Sequence, residues 1–153
     1  AASDVYKRQA LTTLNQRLAA CQQQAQKAHR AQDAYRTAAE AKEQAHARRD
    51  ALDKAFLDAQ AGLLAQALAE GAPCPVCGSV HHPAKAQLPH TAPTQAQVDA
   101  AKQEAEKADA LAQTTSTAAQ SALAAADEAR RSLRRDAESL LQSASLPRMG
   151  RYS

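Results

Sequence analysis

The sequence has very few large apolar side chains for its length. Its 153 residues include no Trp, one Phe and three Tyr, and alanine supplies most of the 44% that are hydrophobic. At about 25 cal/mol per Å² of apolar surface, burying an alanine stabilises a core far less than burying a leucine. This scarcity argues against an ordinary globular core. An Ala, Gln, Glu, Lys, Arg and Leu mixture with only four glycines predicts long helices or a coiled coil instead.

Long apolar runs and blocks of one charge are also missing. No stretch approaches the roughly 18 apolar residues of a membrane span, and no signal-peptide pattern is visible. The net charge is only +3, with acids and bases interspersed along the chain, as on a solvated helical surface. We therefore predict a cytoplasmic chain without a membrane partner, and the charge pattern gives little reason to expect nucleic-acid binding by this segment.

The first patterned segment extends from residue 11 to residue 70. It contains no proline, and Gly62 is its only glycine. Seam positions recur every seven residues, at Leu14, Cys21, Ala28, Tyr35, Lys42, Arg49, Phe56 and Leu63. Their companions are Leu11, Leu18 and Ala25 early on, and Ala31, Ala38, Ala45, Leu52 and Ala59 later. This pattern predicts a first coiled-coil arm over 11–70 whose apolar stripe shifts by one position midway.

The second patterned segment extends from residue 94 to residue 146, and its stripe is cleaner. The spacing alternates between three and four residues, which predicts the seam of a left-handed coiled coil. Thr94 is a candidate N-cap. The predicted seam consists of Val98, Ala101, Ala105, Ala108, Ala112, Thr115, Ala119, Ala122, Ala126, Ala129, Leu133, Asp136 and Leu140.

Five of the six prolines fall between these two arms, in the segment 71–93. Proline inside a helix costs about 3 kcal/mol or more, so this segment is predicted to be a non-helical tip. The fold class that follows is all-α, a two-helix antiparallel coiled-coil hairpin with a proline-rich tip. Residues 1–10 and 147–153 do not continue the pattern and are predicted to be disordered or, for 1–10, foreign to the native protein. With no initiating Met and no clear cap, the chain is expected to be part of a longer rod.

The tip carries the motif Cys-Pro-Val-Cys-Gly, with its two thiols at Cys74 and Cys77. Two cysteines three positions apart can grip one zinc ion from a tight turn, but a structural zinc takes four ligands. Because the tip of a hairpin is exposed, we favour a site completed by the same two cysteines of a second copy. One Zn²⁺ would then be shared between two chains related by a two-fold axis.

Other uses of the two thiols remain open. An intrachain site could add two histidines from His81, His82 and His90, giving a monomeric zinc module that docks a protein or nucleic acid. A thiol redox pair is disfavoured, because that chemistry normally lies at a helix start beside a strand. A plain disulfide or two inert thiols are the remaining options.

Some further features are predicted to be structural. The third cysteine, Cys21, is interpreted as a small apolar seam residue. His29 and His46 are expected to be solvated polar positions on the first helix. The one basic cluster is interpreted as a solvated helix face rather than a DNA-tracking patch. It consists of Arg130, Arg131, Arg134 and Arg135.

The run from Gly71 to Ser79, followed by His82-Pro83 and flanked by heptad arms, resembles the zinc hook of the bacterial SbcC exonuclease subunit. SbcC belongs to the SMC-like ATPases of double-strand break repair. The resemblance implies that Cys74 and Cys77 are the hook's metal ligands and that two subunits join tip to tip.

The resemblance further implies a longer parent protein with ATPase heads that acts on DNA together with an SbcD-type nuclease. This chain contains no GxxxxGK[ST] phosphate loop, and no cluster of His and Asp that could hold nuclease metals. We therefore expect no enzymatic activity in this segment, whose role would be tethering.

Overall fold

The structure is a computed structural model that describes residues 2–145. Helix α1 spans Ala2–Gln66 and helix α2 spans Gln95–Ser145. Between them lies a loop over residues 67–94, built of turns and bends. This loop is called the tip from here on. Within residues 2–145 there is no strand, so the predicted all-α helical hairpin is confirmed. Neither described helix has a stretch long and apolar enough to cross a membrane.

The chain divides into two compact units. The first holds the described residues of Ala1–Thr37 and Gln113–Ser153, and the second is Ala38–Ala112. In each unit a stretch of α1 packs against a stretch of α2.

Ion pairs give the direction of the helices within the second unit. Lys42 pairs with Asp109 at 3.2 Å, and Asp53 pairs with Lys102 at 3.5 Å. Residue numbers therefore rise along α1 as they fall along α2, which means that the helices are antiparallel there. In the first unit, Arg17 of α1 pairs with Asp136 of α2.

The predicted seam of α2 is confirmed at every position. All thirteen residues are buried or half-buried, and the most deeply buried are Val98, Ala101 and Ala105. Most of the buried seam residues are alanines. Their small side chains allow two helices to pack closely, but each contact buries little area.

The predicted stripe of α1 needs correction, most of all in its first half. Leu11 and Leu18 are 52% and 43% exposed, and Ala25 is exposed as well. Ala10 and Gln24 are half-buried in their place, so the stripe does not shift midway. Of the later predicted positions, Tyr35, Lys42 and Leu63 are exposed as well, and near the end of α1 the buried residues are Gly62 and Ala65 instead. The prediction failed because large apolar residues such as Leu11 and Leu18 were assigned to the seam, although they lie outside it. A polar side chain such as Gln24 can lie partly buried through its aliphatic carbons while keeping its polar end in water.

The boundaries also differ from those predicted. Residues 2–10 are helical rather than disordered, because Asp4 in the first turn suits the positive end of a helix and no proline or glycine interrupts the segment. Helix α1 ends at Gln66, before residue 70. Residue 1, residue 146 and the predicted disordered end 147–153 lie outside the described residues.

The start of α2 is held by the predicted cap. The backbone N–H of Gln97 donates to Oγ1 of Thr94 at 3.2 Å, and the backbone N–H of Thr94 donates to Oε1 of Gln97 at 2.9 Å. This reciprocal pair is a capping box with Gln in the third helical position. It fixes the point at which the tip gives way to α2.

Candidate metal centre

A tight backbone turn carries the two tip cysteines. The N–H of Gly78 donates to the carbonyl oxygen of Cys74 at 2.8 Å, and the N–H of Cys74 donates to the carbonyl oxygen of Ser79 at 2.8 Å. One step further out, the N–H of Gly71 donates to the carbonyl oxygen of Val80 at 3.0 Å. These three bonds close a small hairpin that brings the two thiols to the same side of the turn.

Glycine is required where this hairpin reverses. Gly78 has φ of +75° and Gly71 has φ of +83°, in the left-handed region that costs an L-residue roughly 1–2 kcal/mol. Gly78 directly follows Cys77, so its backbone conformation helps to decide where the second thiol lies. The glycine of the motif is therefore part of the site's geometry.

The environment of Cys74 favours its thiolate. The backbone N–H groups of Cys77 and Val76 point at its sulfur, the latter at 3.4 Å, and together they lower the pKa of the Cys74 thiol below its ordinary value, against the opposing effect of burial. A thiolate is the form of cysteine that binds metal. Cys74 is buried and Cys77 is exposed, so one sulfur is enclosed by the turn and the other is open to solvent.

A histidine joins the two thiols. Sγ of Cys74, Sγ of Cys77 and a ring nitrogen of His82 all lie within 4.8 Å of one another, and Nε2 of His82 is 3.4 Å from Sγ of Cys77. Ligand atoms around one tetrahedral zinc lie about 3.5–3.8 Å apart, given bonds of about 2.0–2.3 Å. The three donors therefore fit a zinc ion with small adjustments, and a set of thiolates and imidazole suits zinc rather than magnesium or calcium. This group of residues could hold a metal ion.

The other two candidate histidines do not join the cluster. Nδ1 of His81 lies 2.5 Å from Oε1 of Glu70, and the Ser79 hydroxyl donates to the carbonyl oxygen of His81 at 2.8 Å. The contact with Glu70 engages the His81 ring, which is not part of the group of metal-ligating atoms around the thiols. His90 is likewise outside the cluster, so the tip supplies one histidine near the thiols rather than the two of the predicted intrachain alternative.

The return path of the tip packs against α1 at a glycine. A Cβ added at Gly62 would lie 2.6 Å from the carbonyl oxygen of Gln87 and 2.7 Å from the amide nitrogen of Leu88. Nearby, Nζ of Lys85 donates to the carbonyl oxygen of Leu68 at 3.0 Å, satisfying a group beyond the end of the helix. Only a residue without a side chain allows the loop backbone to approach this closely, so Gly62 anchors the tip to its helix.

The remaining candidates behave as structural residues. Cys21 is a free, half-buried thiol, as a seam position would be. In the basic cluster, Arg130 pairs with Asp127 at 3.3 Å and Arg135 pairs with Glu128 at 3.0 Å. Acids on the same helix thus neutralise part of the cluster, in keeping with a solvated helix face.

His46 is the residue whose surroundings differ most from the sequence expectation. Its Nε2 lies 2.8 Å from Oδ1 of Asp109, which Lys42 also approaches at 3.2 Å. The hydrogen bond to His46 is the main cause, and Lys42 a further cause, of a lowered pKa at the Asp109 carboxyl. His46 follows the seam position Ala45, and that neighbourhood was the signal that it would be half-buried rather than fully solvated.

Comparison with known proteins finds a relative for part of the chain. Over 62 residues the chain is 45% identical to the SbcC subunit of the SbcCD nuclease of Vibrio cholerae, a match that covers 40% of this chain and 6% of that protein. No family model matches the chain, and no solved structure does. The chain therefore contains a region related to SbcC while spanning a small part of the length of that relative. The described residues form two helices and a loop, with no catalytic fold among them.

Proposed function

We propose that this chain is a metal-dependent tethering segment, in which Cys74 and Cys77 of two copies hold one Zn²⁺ between two tips. The observation that carries this proposal is the placement of two thiols on one side of a glycine-dependent turn between two antiparallel helices. Two thiols supply half of a tetrahedral zinc site. A second copy of the same turn supplies the other half and closes the assembly with two-fold symmetry.

The exposure of the turn supports joining at this point. Val76, between the two cysteines, is 84% exposed, and Cys77 is exposed beside it. A second tip can approach the sulfur of Cys77 without displacing a helix. Val76 then contributes apolar surface to the contact, whose area is small. Most of the affinity must therefore come from the metal, since structural zinc contributes about 10–16 kcal/mol in small peptides.

The partial similarity to SbcC gives the tether its proposed setting. The parent protein is an SMC-like ATPase subunit that works with an SbcD-type nuclease on DNA ends in double-strand break repair and recombination. Joining two tips links two such subunits, and through their heads two DNA ends or sister molecules. This segment supplies the link and carries no catalysis of its own.

A second candidate function is favoured by one observation, the 3.4 Å contact between His82 and Cys77. It is a monomeric zinc-binding module on a helical stalk, with Cys74, Cys77 and histidine ligands, that docks a protein or nucleic acid. It requires a fourth ligand from the same chain, and His81 is engaged by Glu70 instead. The tether requires no further ligand from the chain and is preferred for that reason.

Zinc content and molar mass, measured together on the purified chain with and without a chelator, separate the two functions. The tether predicts half a zinc per chain and a dimer that chelation splits into monomers. A chain that stays monomeric at half an equivalent of Zn²⁺, at every protein concentration, would contradict the tether, and saturation at one zinc per monomer would then favour the stalk-borne module.

A further inference from the structure

The tip presents more ligands than a shared zinc site needs. Two chains contribute four thiolates, which fill a tetrahedral site completely. Each tip nevertheless holds a third donor, His82, whose ring nitrogen lies within 4.8 Å of both sulfur atoms. In a dimer with four sulfur ligands this imidazole has no place on the metal, whereas the two thiolates of a single chain leave further ligand positions to be filled.

We propose that His82 is a metal ligand of the single chain and that it leaves the metal when a second copy binds. This inference rests on the proposed tethering function and adds a separate state to it, a metal-loaded monomer. In that state Cys74, Cys77 and His82 would hold the ion through three donor atoms that already lie within 4.8 Å of one another.

The neighbouring residues fit such an exchangeable ligand. Pro83 restricts the backbone of His82 to extended conformations, which reduces the range of positions that its ring can take. His82 is half-buried and Cys77 is exposed, so a ligand entering from a second tip can reach the metal where His82 lies. The adjacent His81 is held away by Glu70, which leaves a single imidazole to be displaced.

The ligand count fixes the stoichiometry of the exchange. Two loaded monomers carry two ions and six protein ligands, whereas the dimer retains one ion on four sulfur atoms. Joining two loaded monomers therefore releases one Zn²⁺ and frees both His82 rings. Conversely, zinc in excess over half an equivalent favours loaded monomers, because His82 helps each chain to keep an ion of its own.

This competition is tested by titrating Zn²⁺ into the reduced, metal-free chain while the dimer fraction is followed by analytical ultracentrifugation. For the wild type, we expect the dimer fraction to peak at half an equivalent of zinc and to fall as zinc approaches one equivalent. In His82→Ala the peak should remain, but the dimer fraction should decrease only at a much higher zinc concentration. The zinc affinity of the monomer is measured by competition with a chromophoric chelator, at protein concentrations too low for dimerisation. His82→Ala should lower this affinity by more than the roughly 10–100-fold that is typical when a residue that only supports a ligand is removed.

His81→Ala is the matched control, since it removes the neighbouring imidazole and its contact with Glu70 but no proposed ligand. It should behave as the wild type in both measurements. If His82→Ala and His81→Ala give the same monomer affinity and the same titration curve, the role of His82 is overturned while a dimer at half an equivalent still supports the tether. If no variant dimerises at any zinc level, the tether itself fails, and a large effect of His82→Ala on monomer affinity would still identify His82 as a ligand.

Discussion

The paired helices and the tip are stabilised in opposite ways. Along the helices, the buried apolar residues are almost all alanines spread over many turns, so each contact contributes little and no single one is decisive. In the tip, the conformation depends on a few groups: two left-handed glycines, three backbone hydrogen bonds and a cluster of two thiols with one imidazole. The paired helices should therefore tolerate substitutions along their length, whereas the tip should be sensitive to them.

The largest effect is expected from removing the thiols. In the double variant Cys74→Ser, Cys77→Ser, zinc-dependent dimerisation should be abolished, because serine hydroxyls do not replace thiolates as zinc ligands. The helix content should remain close to that of the wild type, since the helices do not depend on the metal. Ultracentrifugation with zinc and far-ultraviolet circular dichroism check the two parts.

The matched control for that double variant is Cys21→Ser, which alters a half-buried thiol on α1 and should leave zinc-dependent dimerisation intact. Zinc-dependent dimerisation that survives the loss of both tip cysteines would contradict the placement of the metal in the tip.

Among the residues of the paired helices, Val98 is expected to contribute most to stability. It is 1% exposed and is the largest fully buried side chain among the described residues. Val98→Ala should lower the free energy of unfolding by about 2 kcal/mol, from lost burial and the cavity left behind. Val76→Ala, at an exposed position of the tip, should change the free energy of unfolding by less than about 0.5 kcal/mol. Denaturant unfolding measures both, and equal effects would contradict the burial that distinguishes the two valines.

Gly62 tests the joint between the two regions. Alanine is favoured over glycine in a helix by about 1 kcal/mol, but its Cβ would meet the backbone of Gln87 and Leu88, and overpacking costs about 1–3 kcal/mol. We expect Gly62→Ala to be destabilising by about 1 kcal/mol net and to speed amide exchange at residues 87 and 88. The exposed position Leu64 provides the control, since Leu64→Ala should leave exchange in the tip unchanged. A more stable Gly62→Ala with unchanged exchange would show that the loop does not pack on this glycine.

The smallest effect is expected at the polar position along the helices, where His46 and Lys42 lower the pKa of Asp109. A carboxyl whose pKa is lower in the folded than in the unfolded chain adds stability above its ordinary pKa of about 3.9, and that stability is lost as pH falls through the folded value. Asp109→Asn should therefore lower the melting temperature slightly at pH 7, and the difference from the wild type should shrink in acid.

Asp58→Asn serves as the comparison for that pH series, because Asp58 pairs along its own helix with Lys54, at 2.7 Å. Its effect on the melting temperature should be smaller than that of Asp109→Asn. A gap between Asp109→Asn and the wild type that widens in acid would contradict the lowered pKa of Asp109.

Much of the fold could be predicted from periodicity and from the absence of helix breakers. The seam from Val98 to Leu140 is correct at every position, because three-and-four spacing has one geometric interpretation in a helix. The cap at Thr94 was also correct, since a hydroxyl one position before a helix meets a local need for a hydrogen-bond acceptor. The early stripe of α1 was wrong at Leu11 and Leu18, because choosing between two overlapping stripes requires knowing which one faces the other helix.

The sequence by itself determined that two helices form, that prolines separate them, and that Cys74 and Cys77 share one turn, because these depend on interactions within a few residues. Only the tertiary structure decided that His82 rather than His81 lies beside the thiols, that Gly62 admits the loop backbone, and that His46 meets Asp109. Each of these depends on where residues distant along the chain, or side chains with several rotamers, come to lie once the backbone is folded. Periodicity and spacing carry no information on that placement.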